Sequence, residues 1–557
     1  MKDTSTHNAV TFILDKGFFE ELHRELAAVL EADGKLENSY VLIAMWLCKL
    51  KTPLPAVRVG DRTMAPTTLD ALLAKIAKKG HRVRFVLWNG SNPIVEPART
   101  ALWMGLKVVT LNYLAEPLGA GFLRFGGGSK VYADEIRMWC TRHPNTGAYL
   151  ESYRPGYLSV GTSNHQKFVV CSTNRRLSAL VGGFNINDKY SAEPAHGQAG
   201  EHWHDTAVLL RGPAAHAIQR EWLRRWNKQY YLPWSADTLP ATLDDQQLDK
   251  KARSKAPNRR VTIATTNAEA RPAEKDIRAL VIERIQAAKD YIYFENYAFT
   301  DPEIIDALAA RMAADKALKV MVVIHHPSSP LYSTDTLWSY LQYYTFILLA
   351  VSRFKQLRIE RNQDDLTNDE SFTLRPPSAR SVNGEAVTNL GVQKSSLGWR
   401  LGWTDGHGQA QTALLTEVAD IRNRHFMYGP RTTTAFNGAP QWPYPHSKLA
   451  LFDDRYALVG SSNWTYRSME YDGEITAMID DGDKVAQIRD DLLSHWEGGL
   501  TIDNFEQRAS ENLEKVSGGQ MPANRCFLVP LKLGDFVRPD AATLKTKATM
   551  DAMWTWF

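Results

Sequence analysis

Cysteine is scarce in this chain. Four stand in 557 residues, at Cys48, Cys140, Cys171 and Cys526, and none forms a Cys-x-x-Cys pair. A disulfide framework and a thiolate zinc site are both excluded as organising principles. Net charge is scarce as well. Lysine and arginine number 66 against 62 acidic residues, leaving +4, well short of the basic stripe of a dedicated nucleic-acid binder. Long apolar runs are also missing. The N-terminus, "MKDTSTHNAVTFILDKGFFEEL", lacks the apolar core of a signal peptide and carries acidic residues early. The most apolar window, "LWSYLQYYTFILLAV" (337–351), is shorter than the ~20 residues that span a bilayer and contains Ser, Gln and Tyr. It is expected to be a buried or interfacial helix. The chain is therefore expected to be soluble, without a transmembrane segment, and either cytoplasmic or exported without a classical signal peptide.

What is present is an ordinary globular composition, 44% apolar and 23% charged, at a length that favours two domains. An order of strand, helix, strand, helix, strand can be read twice. "VTFILD" (10–15) is matched by "VTIATTN" (261–267), and "SYVLIAMWLCKL" (39–50) by "DYIYFENYAFTD" (290–301). Helical spacing follows each, and "HRVRFVLW" and "LKVMVVIHH" close the two series. Short runs rich in Val, Ile and aromatics between helical periods read as buried strands of an α/β sheet. Such a repeat predicts two tandem, pseudo-symmetric α/β sandwich halves, packed face to face with the active site between them. The first half is expected over 1–235, a polar linker over 236–258, the second half over 259–500, and a C-terminal extension over 501–557. From Val320 to His446 is 126 positions, against 82 from Val83 to His165, so an insertion falls within 330–440. Its stretch "NQDDLTNDESFTLRPPSARSVNGEAV" reads as a polar loop.

The chemistry lies in a second repetition. "NHQKFVVCSTNRRLSALVGGFN" sets His165 two places before Lys167, and "YPHSKLALFDDRYALVGSSN" sets His446 two places before Lys448. Residues i and i+2 of a strand share a face, so each pair delivers an imidazole and an ammonium side by side. The strand after each pair ends in small residues and an asparagine: Gly183 and Asn185 in one copy, Ser461 and Asn463 in the other. Small residues let a ligand approach closely, so these four are candidate substrate-binding residues. Two histidines, two lysines and two asparagines around one pocket suit phosphodiester cleavage without a metal. Donors neutralise the phosphate oxygens, one histidine attacks phosphorus and the other protonates the leaving oxygen. An attacking histidine needs its tautomer fixed, usually by a carboxylate. Asp205 in "HWHDTAVLL" and Glu474 in "EYDGEITAMI" are the candidates, with the pairing left open.

Simpler readings compete. A single His-x-Lys is common, but two copies with matched framing outweigh chance. Asp453 stands five places after Lys448 while Ser172 holds that place after Lys167. Since the chemistry does not call on an aspartate there, both are read as structural. An adjacent pair, His325-His326, cannot turn both rings to one metal from a strand.

These residues resemble the phospholipase D superfamily, whose signature is a duplicated His-x-Lys-x4-Asp. "YIYFENYAF", "YPHSKLALFDDRYALVGSSNWTYRSM" and "WHDTAVLLRGPAA" followed by "REWLRRW" look closest to phosphatidylcholine-hydrolysing phospholipases D. The resemblance covers most of residues 8–500. It implies a phosphohistidine intermediate on His165, with His446 as acid and then base, and with Lys167, Lys448, Asn185 and Asn463 holding the phosphate. It implies no cofactor for the chemistry itself and leaves calcium open. The expected activity is hydrolysis of phosphatidylcholine-type lipid to phosphatidic acid and head-group alcohol, with transphosphatidylation to alcohols, by a monomer acting at a membrane or micelle surface. Three enzymatic alternatives stand beside it: a nuclease, against which the balanced charge speaks; a phospholipid synthase, which would usually carry N-terminal spanning segments; and a secreted antibacterial lipase effector. A lipid-binding pseudoenzyme would rest on Ser172 alone.

Overall fold

A computed structural model describes residues 1–32, 39–88, 125–151, 163–192 without 174 and 175, and 203–227. It continues through 257–326 without 269, 271, 272 and 316, through shorter stretches between 371 and 440, and through 442–531 without 521–525. Most of the expected linker, the apolar window 337–351 and the terminal "DAMWTWF" lie outside the described residues.

The first half begins with β1 (Lys2–Leu14), α1 (Gly17–Glu31), β2 (Tyr40–Met45), α2 (Leu69–Lys78) and β3 (Arg82–Trp88). It continues with α3 (Phe125–Cys140), β4 (Thr146–Glu151), β5 (Phe168–Thr173), β6 (Arg176–Gly182), β7 (Trp203–His204), β8 (Thr206–Arg211) and α4 (Pro213–Asn227). The second opens with β9 (Arg259–Asn267), α5 (Asp276–Ala287), β10 (Tyr291–Glu295), α6 (Pro302–Ala314) and β11 (Lys319–Val323). There follow β12 (Met427–Thr432), β13 (Tyr444–Pro445), β14 (Leu449–Phe452), β15 (Tyr456–Gly460), α7 (Tyr466–Glu470), β16 (Glu474–Asp480) and α8 (Gly482–Trp496), then α9 (Phe505–Ser517) and β17 (Cys526–Pro530).

These elements form where local chemistry directs them. On α1 the apolar residues Phe18, Phe19, Leu22, Leu26 and Val29 recur at helical spacing and are all buried. Asp301 caps α6 by accepting the Ile304 N–H at 3.0 Å, with Pro302 at the first helical position.

Expected face-to-face packing gives way to an edge-to-edge join. One sheet runs through both halves in the order β17-β12-β11-β10-β14-β15-β16-β9-β1-β8-β6-β5-β2-β3-β4. At its centre β1 is shared. Its first residues pair antiparallel with β9, Lys2 opposite Ala264 and Ser5 opposite Val261, and its last pair with β8, Ala9 opposite Arg211 and Leu14 opposite Thr206. The register shifts between Ser5 and Asn8, and Asn8 bridges the break by donating to Arg259 O and accepting from Ala214 N. This strand starts eight residues before the expected "VTFILD", because residues 2–9 pair without contributing an apolar run. One face of the sheet buries a core that crosses the join, including Trp222 and Trp226 of α4 and Trp496 of α8. The opposite face of the first half packs on α1, α2 and α3.

Within the expected insertion, strands between Ser371 and Leu414 form a separate five-stranded sheet. Ser371–Thr373 and Arg380–Val382 fall inside the stretch expected as a loop; each pairs antiparallel with Glu385–Ser395, so ladder hydrogen bonds outweigh its polar composition. Strand β17, from the C-terminal extension, adds to the sheet edge beside β12. No helix among the described residues is long and apolar enough to cross a membrane.

Asp453 serves the fold. It sits at φ +51° just past β14 and accepts the backbone N–H groups of Lys289, Asp290 and Tyr291 at 2.7, 2.8 and 2.9 Å, locking the entry to β10. Ser172 is fully buried inside β5, opposite Tyr40 of β2. Asp453→Ala is expected to cost about 1–3 kcal/mol by leaving these donors without their acceptor. Chemical denaturation is the check, and turnover per folded molecule should stay within about twofold.

Candidate active site

Each His-x-Lys unit lies in the extended lead-in to a strand: His165 and Lys167 before β5, His446 and Lys448 before β14. The two lead-ins cross to the opposite half. Strand β7 pairs in parallel with β13, Trp203 opposite Tyr444 and His204 opposite Pro445, and Asn164 forms a matching parallel bridge with Gly473. As a result the His446 N–H donates to His204 O at 2.7 Å, and the His165 N–H donates to Gly473 O at 2.8 Å. In both places the accepting carbonyl belongs to the residue just before a carboxylate of the other half.

This crossing decides the pairing. His165 Nδ1 lies 2.8 Å from Glu474 Oε1, and His446 Nδ1 lies 2.7 Å from Asp205 Oδ2. Both carboxylates are fully buried. With Nδ1 carrying the proton toward the carboxylate, Nε2 of each ring holds its lone pair. Ser461 supports one pair, donating its hydroxyl to Glu474 Oε2 at 2.5 Å. Gly183 serves the other by its lack of a side chain, since a Cβ there would sit 2.1 Å from Asp205 Oδ1. That oxygen accepts the Thr206 N–H at 2.8 Å. The two small residues, expected at the substrate, thus face the orienting carboxylates.

Both lysines are buried, and each turns its ammonium to the carbonyl of its own histidine, at 2.8 Å for Lys167. The asparagines differ. Asn185 is held by the protein, donating to the Tyr190 hydroxyl at 2.8 Å and accepting from Leu47 N at 3.2 Å. Asn463 Oδ1 is buried and makes no hydrogen bond among the described residues.

Electrostatics follow from a cluster of ionisable groups with little water. Burial, then the neighbouring lysines, holds both histidines well below their ordinary pKa. Burial lowers Lys167 well below its usual range and Lys448 to about 8. It also lifts Glu474 to about 7 and Asp205 to about 8, against the pull of the lysines. The site therefore presents two neutral imidazoles beside two lysines whose charge burial disfavours, an arrangement that a phosphate anion would relieve.

Aromatic side chains that composition alone did not single out line the His446 side. Its ring lies edge-on to Tyr190 at 5.1 Å and stacks near Trp203 at 5.5 Å, Tyr444 at 6.1 Å and Tyr297 at 6.4 Å. Tyr190 places its hydroxyl 3.4 Å from His446 Nε2. On the other side Trp46 stands edge-on to His165 at 5.9 Å. Directly behind Asp205, the residues Asp15, His204 and His495 bring three donor atoms within 4.8 Å of one another. His325 is buried against Tyr444, ring centroids 4.4 Å apart.

Comparison with known proteins finds likeness to cardiolipin synthases and a phospholipase D. Residues 416–496 match the family described as cardiolipin synthase, PLD-like domain. The major cardiolipin synthase ClsA of Bacillus subtilis is 30% identical over 166 residues, covering 28% of this chain and 30% of that protein. Phospholipase D alpha 1 of Oryza sativa is 22% identical over 528 residues, covering 81% and 59% respectively. Cardiolipin synthase 1 of Staphylococcus epidermidis is 23% identical over 329 residues, covering 58% and 46%. The match thus spans between 30% and 59% of the length of these relatives. A crystal structure of phosphatidylserine synthase from Haemophilus influenzae aligns with 92% of this chain and 93% of its own, at 10% identity and a TM-score of 0.43. The likeness is to the phospholipase D-like superfamily, shared between synthases and a phospholipase D rather than confined to phosphatidylcholine-specific enzymes.

Because burial lowers the pKa of both lysines, that of Lys448 to about 8, phosphate binding should weaken in alkali. The value of kcat/KM is expected to fall as pH rises through about 8, where Lys448 gives up its proton. The limb reports the coupled cluster rather than a single residue. A kcat/KM still climbing at about pH 9 would refute this.

Proposed function

We propose that the protein transfers a phosphatidyl group from a phospholipid through a phosphohistidine on His165. The crossed carboxylate–histidine pairs carry this reading, since each leaves Nε2 as the reactive nitrogen. As the phosphate anion binds beside it, His446 takes up a proton at Nε2; Nε2 of His165 then forms the N–P bond while the P–O bond to the leaving alcohol breaks, and His446 passes that proton to the leaving oxygen. An acceptor hydroxyl then returns its proton to His446 and attacks phosphorus, releasing His165. Lys167, Lys448 and Asn463 steady the phosphate oxygens. This chemistry draws on side chains alone and needs no cofactor at phosphorus.

The acceptor decides what the enzyme makes. Likeness to cardiolipin synthases favours an alcohol borne by a second phospholipid, and so a synthase. The expectation that a synthase would carry N-terminal spanning segments loses its weight here because the match covers less than half the length of those synthases. A second reading, hydrolysis of phosphatidylcholine-type lipid, is favoured by the aromatic side chains around His446. Tyr190 and Trp203, with ring centroids 5.1 and 5.5 Å from that of His446, are side chains of the kind that attract a quaternary ammonium.

The two readings separate in one assay. Purified protein is given vesicles of phosphatidylcholine or phosphatidylglycerol, with and without about 2% 1-butanol, and products are followed by mass. Cardiolipin from phosphatidylglycerol indicates the synthase; phosphatidic acid and choline indicate the phospholipase. Phosphatidylbutanol from either supports the covalent intermediate. His446→Ala is expected to lower turnover by about 10²–10⁴-fold by removing the acid. His165→Ala should abolish the labelled, acid-labile phosphoenzyme; a phosphoenzyme that survives it refutes the assignment of the nucleophile.

A further inference from the structure

We propose that Asp15, His204 and His495 form a buried three-ligand site for a divalent transition-metal ion of the zinc class, seated behind the reactive histidines where the two halves join. The three residues come from separate parts of the chain: the turn after β1, strand β7 and helix α8. All three side chains are buried, at 3%, 0% and 6% exposure. Their ligand atoms lie within 4.8 Å of one another.

Hydrogen bonding behind the cluster prepares it for a cation. His204 Nε2 lies 3.0 Å from Glu295 Oε2, while Glu295 Oε1 accepts the Tyr293 hydroxyl at 2.6 Å and Trp496 Nε1 at 2.7 Å. Glu295 is thereby fixed as an acceptor, and His204 keeps its proton on Nε2. A neutral His204 then turns the Nδ1 lone pair toward Asp15 Oδ1, 3.1 Å away. Two lone pairs at that distance need a positive centre. A proton is one answer: burial would lower the His204 pKa, but Asp15 and Glu295 overcome it and raise it to about 10. The second imidazole favours a metal. His495 Nε2 stands 3.2 Å from the other oxygen of the same carboxylate, Oδ2, so two rings converge on one acid. Metal bonds of about 2.0–2.2 Å in a tetrahedral site put ligand atoms roughly 3.3–3.6 Å apart, close to these separations. Two imidazoles and a carboxylate suit zinc and its neighbours. A carboxylate behind a ligating imidazole, as Glu295 is here, orients such rings. Asp15 and Glu295 also bury two negative charges, which one dication balances.

Such an ion would hold the backbone of the reactive pair. Asp15 Oδ1 also accepts the Asp205 N–H at 2.9 Å, and His204 O accepts the His446 N–H. The full chain, made without a polyhistidine tag and purified without chelator, is analysed for metal by mass spectrometry. About one equivalent per chain is expected, and cobalt substitution should give visible d–d bands. His495→Ala and Asp15→Asn should each lower metal content at least tenfold, and Glu295→Gln should weaken affinity by about 10–100-fold. His165→Ala should keep its full complement, separating this site from the reactive histidines. If His495→Ala fails to fold, content of the unaltered and His165→Ala proteins decides. Less than about a tenth of an equivalent, with no uptake of added zinc or cobalt, overturns the proposal and leaves a protonated His204 as the bridge.

Discussion

Two buried hydrogen bonds, each between a histidine and a carboxylate from opposite halves, are the constraint on which the rest of the structure depends. A buried carboxylate without a partner is costly, so Asp205 and Glu474 commit the two halves to one relative position. The parallel bridges at His204–Pro445 and Asn164–Gly473 bring the backbones to that position. The shared strand β1 and the core that crosses the join hold them there. Chemistry and architecture are therefore one problem. The groups that tune the imidazoles also tie the sheet together.

Much of the site was legible in the chain. The two His-x-Lys units, the glycine and serine that follow them and both carboxylates all converge, because each lies at a fixed offset from a strand whose apolar run is easily read. Which carboxylate serves which histidine was not legible. That depends on bridges of one or two residues between remote segments, too short to leave any periodicity. Asn185 and Asn463 occupy equivalent places in sequence, yet one amide is held by Tyr190 and Leu47 while the other keeps an acceptor open. Tyr190, five residues on, causes the difference. Its counterpart position holds Ser468, and nothing in spacing alone distinguishes the two.

The fold shows the same division. Apolar strands and helices with regular spacing were found close to their true bounds, as with α6 at Pro302–Ala314. Segments whose pairing is polar were missed, including the first residues of β1 and the short strands near 371–382. Hydrophobic pattern reports burial, whereas these strands are formed by backbone hydrogen bonds, which leave no pattern of their own in the sequence. The edge-to-edge join belongs to this class, since its first pairings run through Lys2, Asp3, Thr4 and Ser5. Asp453 fastens a turn, and Ser172, its counterpart, lies buried inside β5.

The divided loyalty of β1 has a temporal side. Its partner β9 lies roughly 250 residues further along the chain. A ribosome adding about 5–20 residues each second leaves the start of that strand waiting on the order of 10–50 s. Throughout that interval the nascent first half shows an open edge. The polar lettering of residues 2–8, with its lysine, aspartate and hydroxyls, is what a strand needs in order to wait in water without finding the wrong partner.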